Sequence, residues 1–419
     1  MVDRTTAPDF IEPRKFTLPQ PEVIRFDNGS RFFYLNVGDQ PVIKLEFIFK
    51  AGSWFESLPG IAHFTGKMLV EGTASLSSNT IAENLDKFGA FVEIHSGLDY
   101  INLSIHIPSR HFNALGSTLS EILFNPTFPE DELNLLKQIQ VQQIKVNEHK
   151  NSFVASRLFR SSLYGNVPYG HVMTEETINK IASEDLRKHF ERYINGKFDI
   201  FLTGKFDDSL PESIQKLVGQ KLKKVKPFHV IPISSQEYFN HNNEKKDSLQ
   251  SSIFIGKRCL NKQDISFPGL LLLNEIFGGY FGSRLMQNIR EDKGYTYSIY
   301  SHLATMKNDA YFFINSEVRK EIKDLAIEEI NKEIEKLKNF PVGTEELYQA
   351  KNYLKGSILN TLTSPFAITE KLKNIYLYDL EEIFYDQLFN GIDDTNDKEL
   401  LALANNMLFD QPLSSVVVG

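Results

Sequence analysis

The sequence is poor in the residues that build covalent or metal frameworks. One cysteine, Cys259, stands in 419 residues, so no intrachain disulfide and no cysteine-rich metal cluster can form, and nothing asks for an oxidising compartment. There is no basic excess. Lys and Arg number 46 against 54 Asp and Glu, a formal charge of −8, which argues against a general nucleic-acid binder. Long hydrophobic runs are missing as well. PGLLLLNEIF at 268–277 falls well short of the roughly 20 apolar residues that cross a bilayer, and the opening MVDRTTAPDF has no signal-peptide core. The expectation is a cytoplasmic chain with no membrane span; loss of a presequence would allow a periplasmic or organellar placement instead.

What is present suits a folded chain. Hydrophobic residues make up 41%, charged residues 24% and aromatics 12%, and the 33 Phe against 1 Trp and 6 Met mark phenylalanine as the interior filler. At about 150 residues per domain the length suggests two or three domains. Residues 1–20 hold three prolines and read as an irregular arm. Asp27–Asn28–Gly29–Ser30 lies between VIRF and RFFYLN, a hairpin signal because Asn-Gly tolerates positive φ. PVIKLEFIFKAG (41–52) reads as a strand, and FVEIHSG and YINLSIHIP as a strand pair. Helices are expected from Gly60, from Ser77–Asn79, over FNALGSTLSEILFN, and from Pro129 to Lys150 with Leu133, Leu136, Ile139, Val141 and Ile144 on one broad face. Thr174 opens a helical run to 194 with an approximate capping box, and FDIFLTGKF (198–206) reads as a strand.

The polar stretch around HNNEKKDS breaks this pattern. It divides the chain into an N-terminal domain (1–225), an exposed linker (226–250) and a C-terminal domain (251–419). After it the order repeats: strand SSIFIG, helix PGLLLLNEIFGG, two strands, then helices at 321–338, 343–356 and 366–378. The first of these carries Ile322, Leu325, Ile330, Ile334 and Leu337 on its apolar side. The expected fold class is α+β, with two homologous domains, each a mostly antiparallel sheet packed against helices.

GIAHFTGKML (60–69) is the most informative decapeptide. It resembles the G-x-A-H-F-x-E-H-M-L pattern of the inverted-zinc-motif metallopeptidases, the family of pitrilysin, insulin-degrading enzyme and mitochondrial processing peptidase. The resemblance implies a helix on which two histidines at i and i+4 bind one zinc and an intervening glutamate activates water. Here the first histidine is His63, but Gly66 stands at the glutamate position and Lys67 at the second histidine. Gly66 has no proton acceptor, and Lys67 places a cation where a neutral donor is needed. Glu71, one turn on, is the expected partner of Lys67. The family's third ligand, a glutamate on a later helix, aligns with Gln143; its supporting acidic residue aligns with Leu136, and the nearby Gln140 and Gln142 are neutral too. A phosphate-loop reading of Gly60–Lys67 fails, because five residues separate the glycines and Met68 follows the lysine.

GGYFGSRLMQNIREDKGYTYSIYS (278–301) resembles the same family's C-terminal motif, G-x-x-x-S-R-L running into L-R-E-x-x-G-x-x-Y. The matching pair is Arg290 and Tyr297, seven residues apart. In the family this pair acts on the substrate: the arginine presents a planar fork to the peptide, and the tyrosine donates to the oxyanion. Without the family segment, Arg290 would be a helix-end ion pair with Glu291 or Asp292. Arg284 reads as structural or interfacial.

The resemblance therefore implies a zinc-less, non-catalytic subunit of a two-chain zinc endopeptidase, inactive alone. Its partner would be a homologous catalytic subunit with an intact His-x-x-Glu-His motif, and its substrates peptides. No cofactor is expected in this chain; zinc would reside in the partner. The alternative is a structural or scaffolding homologue with no catalytic role. A separate chemistry has little support: no Ser-His-Asp or Cys-His set is evident, and Cys259 has no assignable base.

Overall fold

The computed structural model describes residues 17–224, 232–233 and 237–419. Of the expected irregular arm, residues 1–16 lie outside the described residues, as do 226–231 and 234–236 of the expected linker.

The first half forms a six-stranded sheet in the order β1-β2-β6-β3-β5-β4. Its strands are β1 (Glu22–Arg25), β2 (Arg31–Asn36), β3 (Val42–Phe49), β4 (Phe91–Ser96), β5 (Ile101–Pro108) and β6 (Phe198–Gly204). The Asn-Gly turn joins β1 and β2 as an antiparallel hairpin, with Glu22 opposite Tyr34 and Arg25 opposite Arg31. β2 runs parallel to β6, and the other neighbours pair antiparallel. The parallel pair is clamped by Arg31, whose guanidinium meets Asp199 at 2.6 Å. Around the sheet lie α1 (Ile61–Met68), α2 (Ser78–Lys87), α3 (Phe112–Phe124), α4 (Glu130–Glu148), α5 (Asn151–Tyr164), α6 (Glu175–Lys180), α7 (Ser183–His189) and α8 (Leu210–Val218). Phe47, Phe49, Leu45 and Ile105 of the sheet close one apolar core with Phe64 and Met68 of α1, Leu119 of α3 and Leu133 of α4.

The second sheet is five-stranded, in the order β7-β11-β8-β10-β9. It consists of β7 (Asn240–Asn243), β8 (Gln250–Cys259), β9 (Thr296–Thr305), β10 (Ala310–Arg319) and β11 (Ser414–Val418). Its helices are α9 (Phe267–Asn274), α10 (Lys323–Asn339), α11 (Thr344–Asn360), α12 (Pro365–Leu377), α13 (Phe384–Asp394) and α14 (Asp397–Leu403). The topology repeats that of the first sheet. β7 runs parallel to β11, which lies antiparallel to β8, as β2, β6 and β3 do. β10 and β9 form the outer antiparallel pair, as β5 and β4 do. The chain is α+β with two such domains.

By internal contacts the described chain divides into two compact units. One comprises Pro19–Lys257, Ser364–Thr369 and Ser414–Gly419; the other is built on Arg258–Thr363 and Glu370–Leu413. The stretch expected as linker supplies the edge strand β7.

Three helical expectations are corrected. On α4, Leu133, Val141 and Ile144 are buried, but Ile139 is 46% exposed, because its angular position carries it past the edge of the packed face. On α10, Leu325 points outward, and Ala326 takes the inward place beside Ile330, Ile334 and Leu337. The run 174–194 is not one helix. Ile181 and Ala182 adopt extended backbone and separate α6 from α7, after which 190–194 form a wider, π-helical turn. Thr174 does cap α6, through reciprocal bonds with Thr177.

Candidate functional site

Helix α1 begins at Gly60, whose backbone is left-handed at φ +109. The Glu56 carboxylate accepts the backbone N–H groups of Gly60 and Ala62 at 3.1 and 3.0 Å, an anion on the positive end of the helix. Burial nevertheless pushes its pKa up to about 7, against the pull of those two bonds and of Arg160.

His63 sits half-buried on α1 with its ring edge-on to Phe64. Gln140 of α4 is the neighbouring side chain that acts on its ring. Burial holds its pKa below the ordinary histidine value, the Lys67 charge adds to this, and the neighbouring Gln140 opposes it. The imidazole is therefore neutral at neutral pH.

Gly66 is buried where α1 meets β4. A Cβ there would lie 2.6 Å from Ser96 Oγ, 3.2 Å from Ile94 Cγ2 and 3.3 Å from Ile101 Cγ2. Ser96 in turn donates its hydroxyl to the Ala62 carbonyl at 3.2 Å. The position at which the family carries its glutamate is thus filled by a neighbouring strand. Lys67, one residue on, is exposed. Its charge lowers the pKa of Glu71, while burial and Glu132 raise it, and the net direction is up.

Gln143 is exposed and lines an open cleft of about 1130 Å³ with Leu135, Ile139, Val146 and Glu175. The α4 side chain that meets His63 is Gln140, three residues earlier. The long helix was found from its sequence, but the residue it turns toward α1 was not. These residues do not fit zinc: one imidazole, one amide, a glycine packed shut and an exposed ammonium cannot supply the usual three neutral or anionic donors. Among the described residues no group of three or more His, Cys, Asp or Glu could hold a metal ion.

The Arg/Tyr segment belongs to the other compact unit. Arg290 lies in a π-helical stretch, Met286–Asp292, a wide-turn form frequent at functional sites. Its guanidinium carbon stands 4.8 Å over the Phe281 ring, and its Nε is 3.3 Å from Glu291 Oε1. Gly294, at φ +63, turns the chain into β9. At the start of β9 the pairing with β10 slips, so that Ile299 faces Ser316 but Thr296 faces Val318. Thr296 Oγ1 donates to Glu317 O at 2.7 Å, and Ser316 Oγ donates to Ser298 O at 3.0 Å, which fixes this bulge. Tyr297, inside it, is 91% exposed. Arg284 is structural: its Nε and Nη2 meet Glu346 of α11 at 2.7 and 2.8 Å. Phe281 was missed by sequence reasoning, because no spacing rule links an exposed loop aromatic to an arginine nine residues later.

Residues 37–174 match the family model for insulinase (peptidase family M16), and residues 180–354 match that for the peptidase M16 inactive domain. The chain belongs to peptidase family M16. It is 26% identical to the "uncharacterized zinc protease YmxG" of Bacillus subtilis over 83% of this chain and 85% of that protein. It is 24% identical to the "non-peptidase homolog YmxG" of Helicobacter pylori over 71% of this chain and 70% of that one. The solved peptidase M16 inactive domain from Pseudomonas fluorescens superposes with a TM-score of 0.87 at 25% identity, covering 95% of this chain and 98% of that one. The inactive-domain match covers the second half of the chain, while the residues around His63, in the half that matches the insulinase model, do not fit a zinc centre. No helix among the described residues is long and apolar enough to cross a membrane.

Proposed function

We propose that the chain is the zinc-less subunit of a heteromeric M16 endopeptidase and supplies Arg290 and Tyr297 to the partner's active site. The observation that carries this reading is an asymmetry. The metal helix is closed, with Gly66 packed against Ser96, whereas Tyr297 is presented almost fully to solvent from a bulge that fixes its strand. A chain that only props up an assembly has no need of an exposed tyrosine in that place. In this reading 1–225 is the silent domain and 251–419 the contributing one. The partner is a homologue with intact His-x-x-Glu-His that holds the zinc, the substrates are peptides, and the assembly is cytoplasmic.

The work of this chain's own residues is electrostatic. Arg290 offers in-plane N–H donors to the peptide backbone, and the Tyr297 hydroxyl donates to the oxyanion as the carbonyl is attacked. The test is co-purification followed by a peptide-cleavage assay of each chain alone and of the mixture. Tyr297→Phe should leave complex formation intact and lower turnover by about 10²–10³, the cost of one lost oxyanion donor. Arg290→Ala should weaken substrate binding and turnover together. Full activity of the partner alone, unchanged by wild-type or Tyr297→Phe protein, would move the chain to a scaffolding role.

A further inference from the structure

Phe281 is a large apolar side chain, 54% exposed, on the loop that follows the helical break at Gly278. The helical path breaks at Gly278, where φ is −156 and a Cβ would lie 2.7 Å from the backbone nitrogen of Ser301. The chain therefore runs directly against β9. On one side of Phe281, the Tyr280 ring lies on Tyr353 of α11 with centroids 4.6 Å apart. On the other side, Ser283 N returns to Tyr280 O at 3.1 Å, and Arg284 is locked bidentately to Glu346, also of α11. Both flanks of Phe281 are thus tied to one helix. Its ring meets the Arg290 guanidinium, whose carbon stands 4.8 Å from the ring centroid.

A guanidinium on an aromatic face keeps its in-plane donors available, because the attraction acts through the π-face and not through the N–H edge. Glu291 steadies the Nε edge at 3.3 Å. We propose that Phe281 is a positioning residue for Arg290: its ring fixes the plane of the guanidinium and leaves the Nη fork directed to the carbonyl or carboxylate groups of a bound peptide. This rests on the reading of Arg290 as a substrate-binding residue; the contact itself does not.

The contact can be tested on the chain alone. Phenylglyoxal modifies arginines at a rate set by access to the guanidinium, and mass spectrometry reads each site, with Arg284 as internal control. An exposed cation–π contact corresponds to about a two- to fivefold effect, so Arg290 should react about that much faster in Phe281→Ala and Phe281→Leu, and at the wild-type rate in Phe281→Tyr. Leucine keeps the apolar bulk and decides the matter if alanine also disturbs Arg284. An unchanged Arg290 rate in both Phe281→Ala and Phe281→Leu overturns the proposal.

The functional arm uses an unstructured fluorogenic peptide cleaved by the mixture with a catalytic homologue. Phe281→Ala should raise KM about two- to fivefold with kcat little changed, Phe281→Tyr should restore it, and Phe281→Ala should add nothing on an Arg290→Ala background. A full extra effect on that background sinks the positioning role. If Arg290→Ala itself has no effect, the proposed function fails while the modification result still stands or falls by itself.

Discussion

Gly66 sits where α1 packs on the edge strand β4, and the neighbours that crowd it reach the site from β4 and β5. Gly66→Ala tests how firmly that approach is set. Overpacking costs about 1–3 kcal/mol, and the gain from replacing a helical glycine returns about 1. A net loss is therefore expected. Ser96 can rotate away only by giving up its bond to Ala62 O, while Ile94 and Ile101 remain in place. In a double-mutant cycle read by urea midpoints, Ser96→Ala should recover part of that loss. A Gly66→Ala protein that is simply more stable would mean the site is loose and could have taken a larger side chain. The departures at 66 and 67 were legible in the decapeptide itself. That Ser96 fills the gap was not, because the filling residue lies thirty positions away on a strand whose approach only the fold sets. Gln140 escaped for a related reason. It lies about 60° around the helix from Gln143, and sequence spacing does not resolve which of the two turns toward α1.

The helices were readable as helices; their faces were less so. α4 and α10 each carry more apolar residues than their packed faces hold, and Ile139 and Leu325 fall on the outer margin. The break between α6 and α7 has no glycine or proline to mark it. What fixes α7 is a contact across the fold. His189, 4% exposed, lies with Nε2 2.8 Å from the carbonyl oxygen of Ala51, just beyond β3. Burial, with a smaller push from Arg192, brings its pKa down to about 4 from the ordinary 6.5, against the Ala51 bond. The folded chain therefore resists protonation that the unfolded chain accepts. The stability tied to His189 is fully present above about pH 6.5 and is lost as pH falls toward about 4, at most ~3 kcal/mol. Glu56 and Glu275 are shifted up to about 7, chiefly by burial, and act in the opposite sense, gaining stability as pH falls from about 7 toward 4.5. Comparison with His189→Gln isolates the histidine: the stability difference between the two proteins should change between about pH 7.5 and about pH 5, in favour of the variant at the lower pH. A difference independent of pH would show that His189 titrates normally.

At the scale of the whole chain, the repeated order of strands and helices could be read because binary patterning survives where residue identity does not. The parallel pairs β2–β6 and β7–β11 could not, since each joins strands more than 150 residues apart. The zinc question also belongs at this scale, because a structural or catalytic metal contributes to the stability of the molecule that holds it. With His63 facing the neutral amide of Gln140, Gly66 packed shut and Lys67 exposed, no such contribution is available from α1. The purified chain should retain well below one equivalent of zinc after mild chelation, by elemental analysis. Its thermal unfolding midpoint should be the same with chelator and with added zinc, and His63→Ala should leave the metal content unchanged. Near-stoichiometric zinc that disappears in His63→Ala, together with a midpoint that rises on adding the metal, would mean that donors beyond this helix complete a centre. The chain would then have to be treated as a peptidase in its own right.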